Sequence, residues 1–188
     1  YMPLFRSGCS IIWKYDGLGQ YYPVFLYIGE YIRDFFDHIT EGRMVLPAYD
    51  LSIGMGEDIA GCLNYYGFGD PVNFLAVFSN MQNGSIVFCI SYFLRLYLAG
   101  LALQIYCREM KLVGAFLYIF SGFAICGGGR YIEWLSVLFY FPLMLAGIEK
   151  MIKDRKRSGL FLFSVIYGAL CGFYYLYMSS LALAVYCL

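Results

Sequence analysis

The chain has 188 residues, 61% hydrophobic and 21% aromatic but only 14% charged, where a soluble domain carries about 25% charged and roughly 45–50% apolar residues. With a mean hydropathy of +0.65, this balance excludes a disordered chain, a nucleic-acid-binding domain and an ordinary cytosolic enzyme, and points to a membrane protein. The 13 basic and 13 acidic residues cancel, so only their placement bears on partners.

Residues 1–83 and 84–188 differ in kind. The first part holds nine acidic residues, four basic ones (Arg6, Lys14, Arg33, Arg43) and the prolines Pro3, Pro23, Pro47 and Pro71. Within it, Val24, Tyr27, Ile28, Tyr31, Ile32, Phe35 and Phe36 recur at helical spacing, with Glu30, Arg33, Asp34 and Asp37 largely opposite. The spacing predicts an amphipathic helix over 21–39, lying on the membrane surface or packed in a soluble domain. The glycine-rich stretch 50–70 has no clean period and reads as a structured loop.

Residues 84–188 form apolar runs at 84–106, 112–127, 131–148, 160–173 and 176–188, the last running off the end. A spanning helix needs about 20 mostly apolar residues, so these are expected spans, two of them short. The break at 107–111 carries Arg108 and Lys111, and the break at 149–159 carries Lys150, Lys153, Arg155, Lys156 and Arg157. Lys and Arg stay on the cytoplasmic side, which predicts cytoplasmic loops at 107–111 and 149–159. Residues 1–83, 126–130 and 173–177 are then expected outside. Starting at Tyr1 without Met and ending inside an apolar run, the chain reads as a piece of a longer protein.

The cysteines show no paired spacing for zinc and no disulfide framework. Cys9 and Cys62 share the polar segment and could bridge; small apolar residues in helices is the other reading. No metal cluster is legible, although adjacent Glu57 and Asp58 could touch a divalent cation.

Asp16, before the surface helix, could act as a general base if the nearby membrane face raises its pKa; an N-cap or an Asp-Gly turn is the plain alternative. Asp70-Pro71 reads as a turn and helix start. Arg95, midway along 84–106, could bind an anionic head group or pair with an acidic residue. Arg130 could anchor at the interface or contact a lipid phosphate. His38, the sole histidine, leaves no Ser–His–Asp arrangement to test.

Several runs share one pattern: Asp16-Gly-Leu-Gly-Gln20, Asp50-Leu-Ser-Ile-Gly-Met-Gly-Glu-Asp58, Tyr65-Tyr66, Asp70-Pro71-Val-Asn-Phe74, Leu94-Arg95, Tyr118-Ile-Phe-Ser-Gly-Phe123, Phe141-Pro142 and Gly172-Phe-Tyr-Tyr-Leu-Tyr-Met178. In order and spacing the chain resembles the YfhO family of polytopic bacterial membrane proteins. It departs from that family at Asp50, where an aromatic is usual, and at Cys171-Gly172, where an Asn commonly precedes the Phe-Tyr motif.

The resemblance implies an all-α polytopic fold like that of GT-C glycosyltransferases, with a large extracytoplasmic first loop bearing the surface helix. It further implies transfer of a sugar from a polyprenyl-phosphate carrier to an envelope polymer such as teichoic acid, on the outer face of the cell membrane. Asp16 matches the catalytic base and Arg95 a basic position of the family. Gln20, Glu57, Asp58, Tyr65 and Tyr66 are candidates to line the outer cavity, and Arg130 is a second cation for the leaving phosphate. The expected partners are the lipid-linked sugar, the envelope acceptor and the bilayer, with no nucleic acid and no legible cofactor. A transporter of lipid-linked sugars using Arg95 and Glu133, or a non-enzymatic scaffold, are the competing functions.

Overall fold

The computed structural model describes residues 11–42, 47–107, 109 and 111–188. These fall into two compact units, Tyr1–Ser91 and Tyr92–Leu188.

In the first unit a π-helical turn, Gly17–Tyr21, leads into α1, Tyr22–Thr40, with Pro23 in its first turn. Proline is pre-organised for that position and its missing N–H is not needed there. Helix α1 buries Phe25, Ile28 and Gly29. Part of the apolar stripe expected to lie on a membrane is thus consumed inside the unit, while Phe36 and Ile39 stay exposed.

The partner of α1 is a 3-10 helix, Pro71–Phe78. At Gly29 the helices approach so closely that a Cβ would sit 2.6 Å from the Ala76 carbonyl carbon. One turn on, Arg33 Nη1 donates to the carbonyls of Val77 at 2.8 Å and Ser79 at 2.9 Å, with a longer contact to Ala76 at 3.4 Å. A cation thereby satisfies the orphan carbonyls that close the 3-10 helix. Its other end is set by Asp70, fully buried, whose carboxylate accepts from Val72 N–H at 2.9 Å. The Asp70-Pro71 helix start is therefore as the sequence implied.

The glycine-rich stretch is more ordered than a loop. Two short strands, β1 (Tyr49–Asp50) and β2 (Glu57–Asp58), pair antiparallel, with Tyr49 opposite Asp58 and Asp50 opposite Glu57. The turn between them runs through Gly54, Met55 and Gly56, all at positive φ, where glycine lacks the Cβ penalty. Helix α2, Ile59–Tyr65, follows at once, capped by Asp58.

Helix α3, Gly84–Tyr106, has the bounds the sequence suggested. The boundary between units falls at Ser91, inside this helix and beyond the expected division at 83, because its first turns pack on α1. Phe88 meets Tyr22 and Phe25 edge to face, at 5.8 and 5.3 Å.

In the second unit three expectations change. The segment expected as one span over 112–127 is interrupted: α4 runs Lys111–Ile119, and a π-helical turn follows at Phe123–Gly127, Ser121 Oγ accepting from Ala124 N–H at 3.3 Å between them. The run expected at 131–148 continues to Asp154, as a 3-10 turn (Ile132–Leu135) and then α5 (Ser136–Asp154). Most of the expected 149–159 loop is therefore helix, since Glu149–Asp154 keep the helical register until Arg155 turns left-handed at φ 50.

The aromatic break at 173–177 is likewise helical. Helices α6 (Gly159–Cys171) and α7 (Phe173–Tyr186) are separated by Gly172 alone, at φ 141 and ψ 144. No other residue type adopts that backbone without strain. At 13 and 14 residues these helices reach only about 20 Å, short of the roughly 30 Å apolar layer. Two segments of the described chain, Gly84–Tyr106 and Ile132–Asp154, are long and apolar enough to cross a membrane, by length and composition. Tyr140, Met144, Tyr167 and Leu183 form a core cluster of this unit. There α5 and α6 touch at Gly147, where a Cβ would lie 2.6 Å from Phe161 N.

Candidate functional site

A cleft of about 750 Å³ opens in the first unit, between the start of α1, the hairpin turn and α2. Its volume is in the range of small-molecule sites. Gly19, Gln20, Pro23, Val24 and Tyr27 form one wall, Ser52, Ile53 and Gly54 the hairpin side, and Glu57, Asp58, Cys62, Tyr65 and Tyr66 the rest of the polar lining. Five residues singled out from the sequence, Gln20, Glu57, Asp58, Tyr65 and Tyr66, thus share this cleft.

Each is placed by local structure. Asp58 is the N-cap of α2, its Oδ2 accepting from Gly61 N–H at 2.5 Å. An N-cap carboxylate removes one orphan donor and faces the positive end of the helix. Glu57, the preceding strand residue, accepts a hydrogen bond from the Cys62 thiol across the first turn of α2. Tyr66 Oη donates to Gln20 Oε1 at 3.3 Å, joining α2 to the π-helical turn. Asn73 then fixes the exit of α2, its amide donating to the Tyr66 and Gly67 carbonyls at 3.1 and 2.7 Å.

Behind the cleft lies a pair the sequence did not mark as chemical. Tyr27 Oη donates to Asp50 Oδ2 at 2.6 Å, while Asp50 Oδ1 accepts from both Ser52 N–H and Ser52 Oγ at 2.8 Å. The Tyr27 bond, followed by the two from Ser52, holds the Asp50 carboxyl below the usual carboxylate range. Burial, then the bond to Asp50, pushes the Tyr27 hydroxyl far up. Burial and then Glu57 likewise raise the Cys62 thiol, so it is a weak nucleophile at neutral pH. Tyr27 reads in sequence as one more apolar position; only the Asp50-Leu-Ser52 spacing, typical of an Asx turn, hinted at the pair. Cys62 is a free thiol; its suggested partner Cys9 lies outside the described residues.

Asp16 is not part of the cleft lining. It heads the π-helical turn three residues before Gly19 and makes no side-chain capping bond, so it does not act as the cap of α1. Arg95 and Arg130 belong to the second unit. Arg95 is 2% exposed, and its Nε donates to Ser136 Oγ at 3.3 Å. Arg130 is exposed. Among the described residues no group of three or more His, Cys, Asp or Glu could hold a metal ion.

The described fold is mostly helical, and two of its helices are long and apolar enough to cross a membrane by length and composition, which is consistent with an all-α membrane protein. The family model described as bacterial membrane protein YfhO matches residues 1–188, and the chain belongs to that family. No curated protein and no solved structure gives a match.

Proposed function

We propose that this protein is a membrane glycosyltransferase that moves a sugar from a polyprenyl-phosphate carrier to a cell-envelope acceptor such as teichoic acid, on the outer face. The observation that carries this reading is the tyrosine- and carboxylate-lined cleft of the first unit, in a chain of the YfhO family. Aromatic faces suit the C–H faces of a sugar ring, and carboxylates and amides suit its hydroxyls.

Sidedness follows from charge. Basic residues follow the C-terminal ends of both spanning-length helices, so both run outside to inside, and the apolar stretch 111–127 returns between them. Residues 1–83 are then extracytoplasmic, where a lipid-linked sugar would meet them. Asp16 takes the acceptor hydroxyl proton as the oxygen attacks the anomeric carbon, and the polyprenyl phosphate departs with the electrons of the broken C–O bond. Charge growing on that phosphate needs a cation. Arg95, which matches a basic position of the family, and Arg130 are the candidates for that cation.

The test is transfer of labelled sugar from polyprenyl-phosphate donors in membranes holding the full-length protein or its Asp16→Asn form. Loss of transfer at unchanged protein level supports Asp16 as base. Full transfer by the variant removes it from that role. Absence of transfer by both forms, across donors, refutes the enzyme and favours a transporter of the same lipid.

A further inference from the structure

From Pro71 to Leu94 the chain carries no charged residue. This stretch holds the 3-10 helix Pro71–Phe78, a short turn and the first half of α3. The 3-10 helix is two-faced. Val72, Asn73 and Ala76 are buried, with Ala76 against Gly29 of α1. Its exposed residues are Pro71, Phe74 and Phe78, and Phe78 is 72% exposed. Met81 in the turn is 90% exposed, and Ile86 and Ile90 stand out from the first turns of α3. The apolar surface thus runs, without meeting a charge, into a helix of membrane-spanning length.

The way the 3-10 helix ends is a second, independent sign. Helix ends leave carbonyls without a helical partner, and on a wet surface water can satisfy them. Here the protein supplies a donor to each of four in a row. Ser79 N–H and Oγ donate to Ala76 at 2.9 and 2.6 Å. Arg33 Nη1 serves Val77 and Ser79, and Asn83 Nδ2 serves Phe78 at 3.1 Å. Asn80 and Asn83 then cap the start of α3 reciprocally. Asn83 Oδ1 accepts from Asn80 N–H at 2.7 Å, and Asn80 Oδ1 accepts from Asn83 N–H at 2.9 Å, in the manner of a capping box. Internal partners for backbone groups are what an apolar layer demands, because it offers none of its own. The exposed side of α1 is different: Phe36 stands beside exposed Asp37, and Glu30 and Asp34 are exposed with it.

We propose that the 3-10 helix Pro71–Phe78 and the turn to Met81, rather than α1, are the part of the first unit that enters the bilayer. Phe74, Phe78 and Met81 lie below the head groups of the leaflet through which α3 passes. Helix α1 is the support on which this interfacial element is mounted, through Gly29 and Arg33. The inference rests on α3 as a span and is independent of the transferase reading.

The experiment places trifluoromethyl-phenylalanine singly at Phe36, Phe74, Phe78 or Phe93 of the full-length protein in lipid nanodiscs. Fluorine relaxation is read with dissolved oxygen, which concentrates among acyl chains, and with a water-soluble nickel chelate. Phe93, a partly exposed residue of α3, reports the span itself. Positions 74 and 78 are expected to match Phe93, with an oxygen-to-chelate ratio several-fold above that at 36, and all four proteins are expected to melt as wild type does. Chelate access at 74 and 78 equal to that at 36, with Phe93 on the lipid side, overturns the proposal and leaves the span standing. Chelate access at Phe93 as well removes the span together with the proposal. Protection of 74 and 78 from both agents puts another protein segment over this face and also overturns it.

Discussion

Replacing Gly29 by Ala tests the packing that holds the cleft wall in place. In an ordinary helix interior this substitution stabilises by roughly 0.5–1 kcal/mol, because glycine loses more backbone freedom on folding. Here the added Cβ would lie 2.6 Å from the Ala76 carbonyl carbon and 3.1 Å from Ser79 Oγ, against an optimal carbon contact of about 3.5–4.0 Å. The nearest atoms are backbone, which no rotamer change can move away. Helix α1 would have to retreat from the 3-10 helix Pro71–Phe78 by about 1 Å. Overpacking of that kind costs about 1–3 kcal/mol, and the retreat also stretches the three carbonyl contacts of Arg33. The steric cost exceeds the propensity gain, so Gly29→Ala should destabilise the protein by about 1–2 kcal/mol. It should weaken ligand binding as well, since Pro23, Val24 and Tyr27 on α1 line the cleft. The assay is thermal unfolding of the full-length protein in detergent. Gly19→Ala is the control, because nothing lies within 4 Å of its would-be Cβ. A Gly29→Ala protein that melts at or above the wild-type temperature would refute the close approach.

Arg33→Met removes a charged donor from the 3-10 helix terminus and should cost about 1–3 kcal/mol, read by denaturant unfolding; an unchanged midpoint would show that water replaces the guanidinium. Because its folded-state pKa is depressed, Asp50 contributes stability that is present above its unfolded value of about 3.9 and lost as pH falls through the lower folded value. Tyr27→Phe removes the main cause of that depression, so acid-induced protease cleavage in the 49–58 hairpin should begin at higher pH than in wild type. Gly172→Ala forces a non-glycine residue to φ 141 and should cost about 1–3 kcal/mol, measured as a lower melting temperature. Glu57→Gln removes the second cause of the raised Cys62 thiol and should speed its alkylation at fixed pH by a few fold; burial, the larger cause, keeps it below the rate of the unfolded chain.

Composition alone made this a membrane protein, because apolar surface on this scale has no other solvent. Helix α1 was legible in the 3.6-residue spacing from Val24 to Phe36, and the Gly84–Tyr106 span in its uninterrupted apolar run. Both are properties of contiguous residues. The YfhO family followed from the order of short runs such as Asp16-Gly-Leu-Gly-Gln20 and Tyr65-Tyr66. Element ends were less legible. A Phe-Tyr-Tyr run reads equally as an interfacial break or as the first turn of a helix, and only the backbone of Gly172 decides. A polar Glu149–Asp154 reads as a loop because hydropathy falls there, although a helix leaving an apolar layer keeps its hydrogen bonds.

The cleft is a tertiary product. Gln20, Glu57 and Tyr66 could be named singly as polar or aromatic residues of one segment, but their convergence depends on the hairpin turn at Gly54–Gly56 and on Asp58 starting α2 where it does. The Tyr27–Asp50 bond joins residues 23 positions apart, and no periodicity encodes a contact of that separation. Local spacing fixes which face of an element is apolar; which partner covers that face is settled by packing, as Ala76 against Gly29 illustrates.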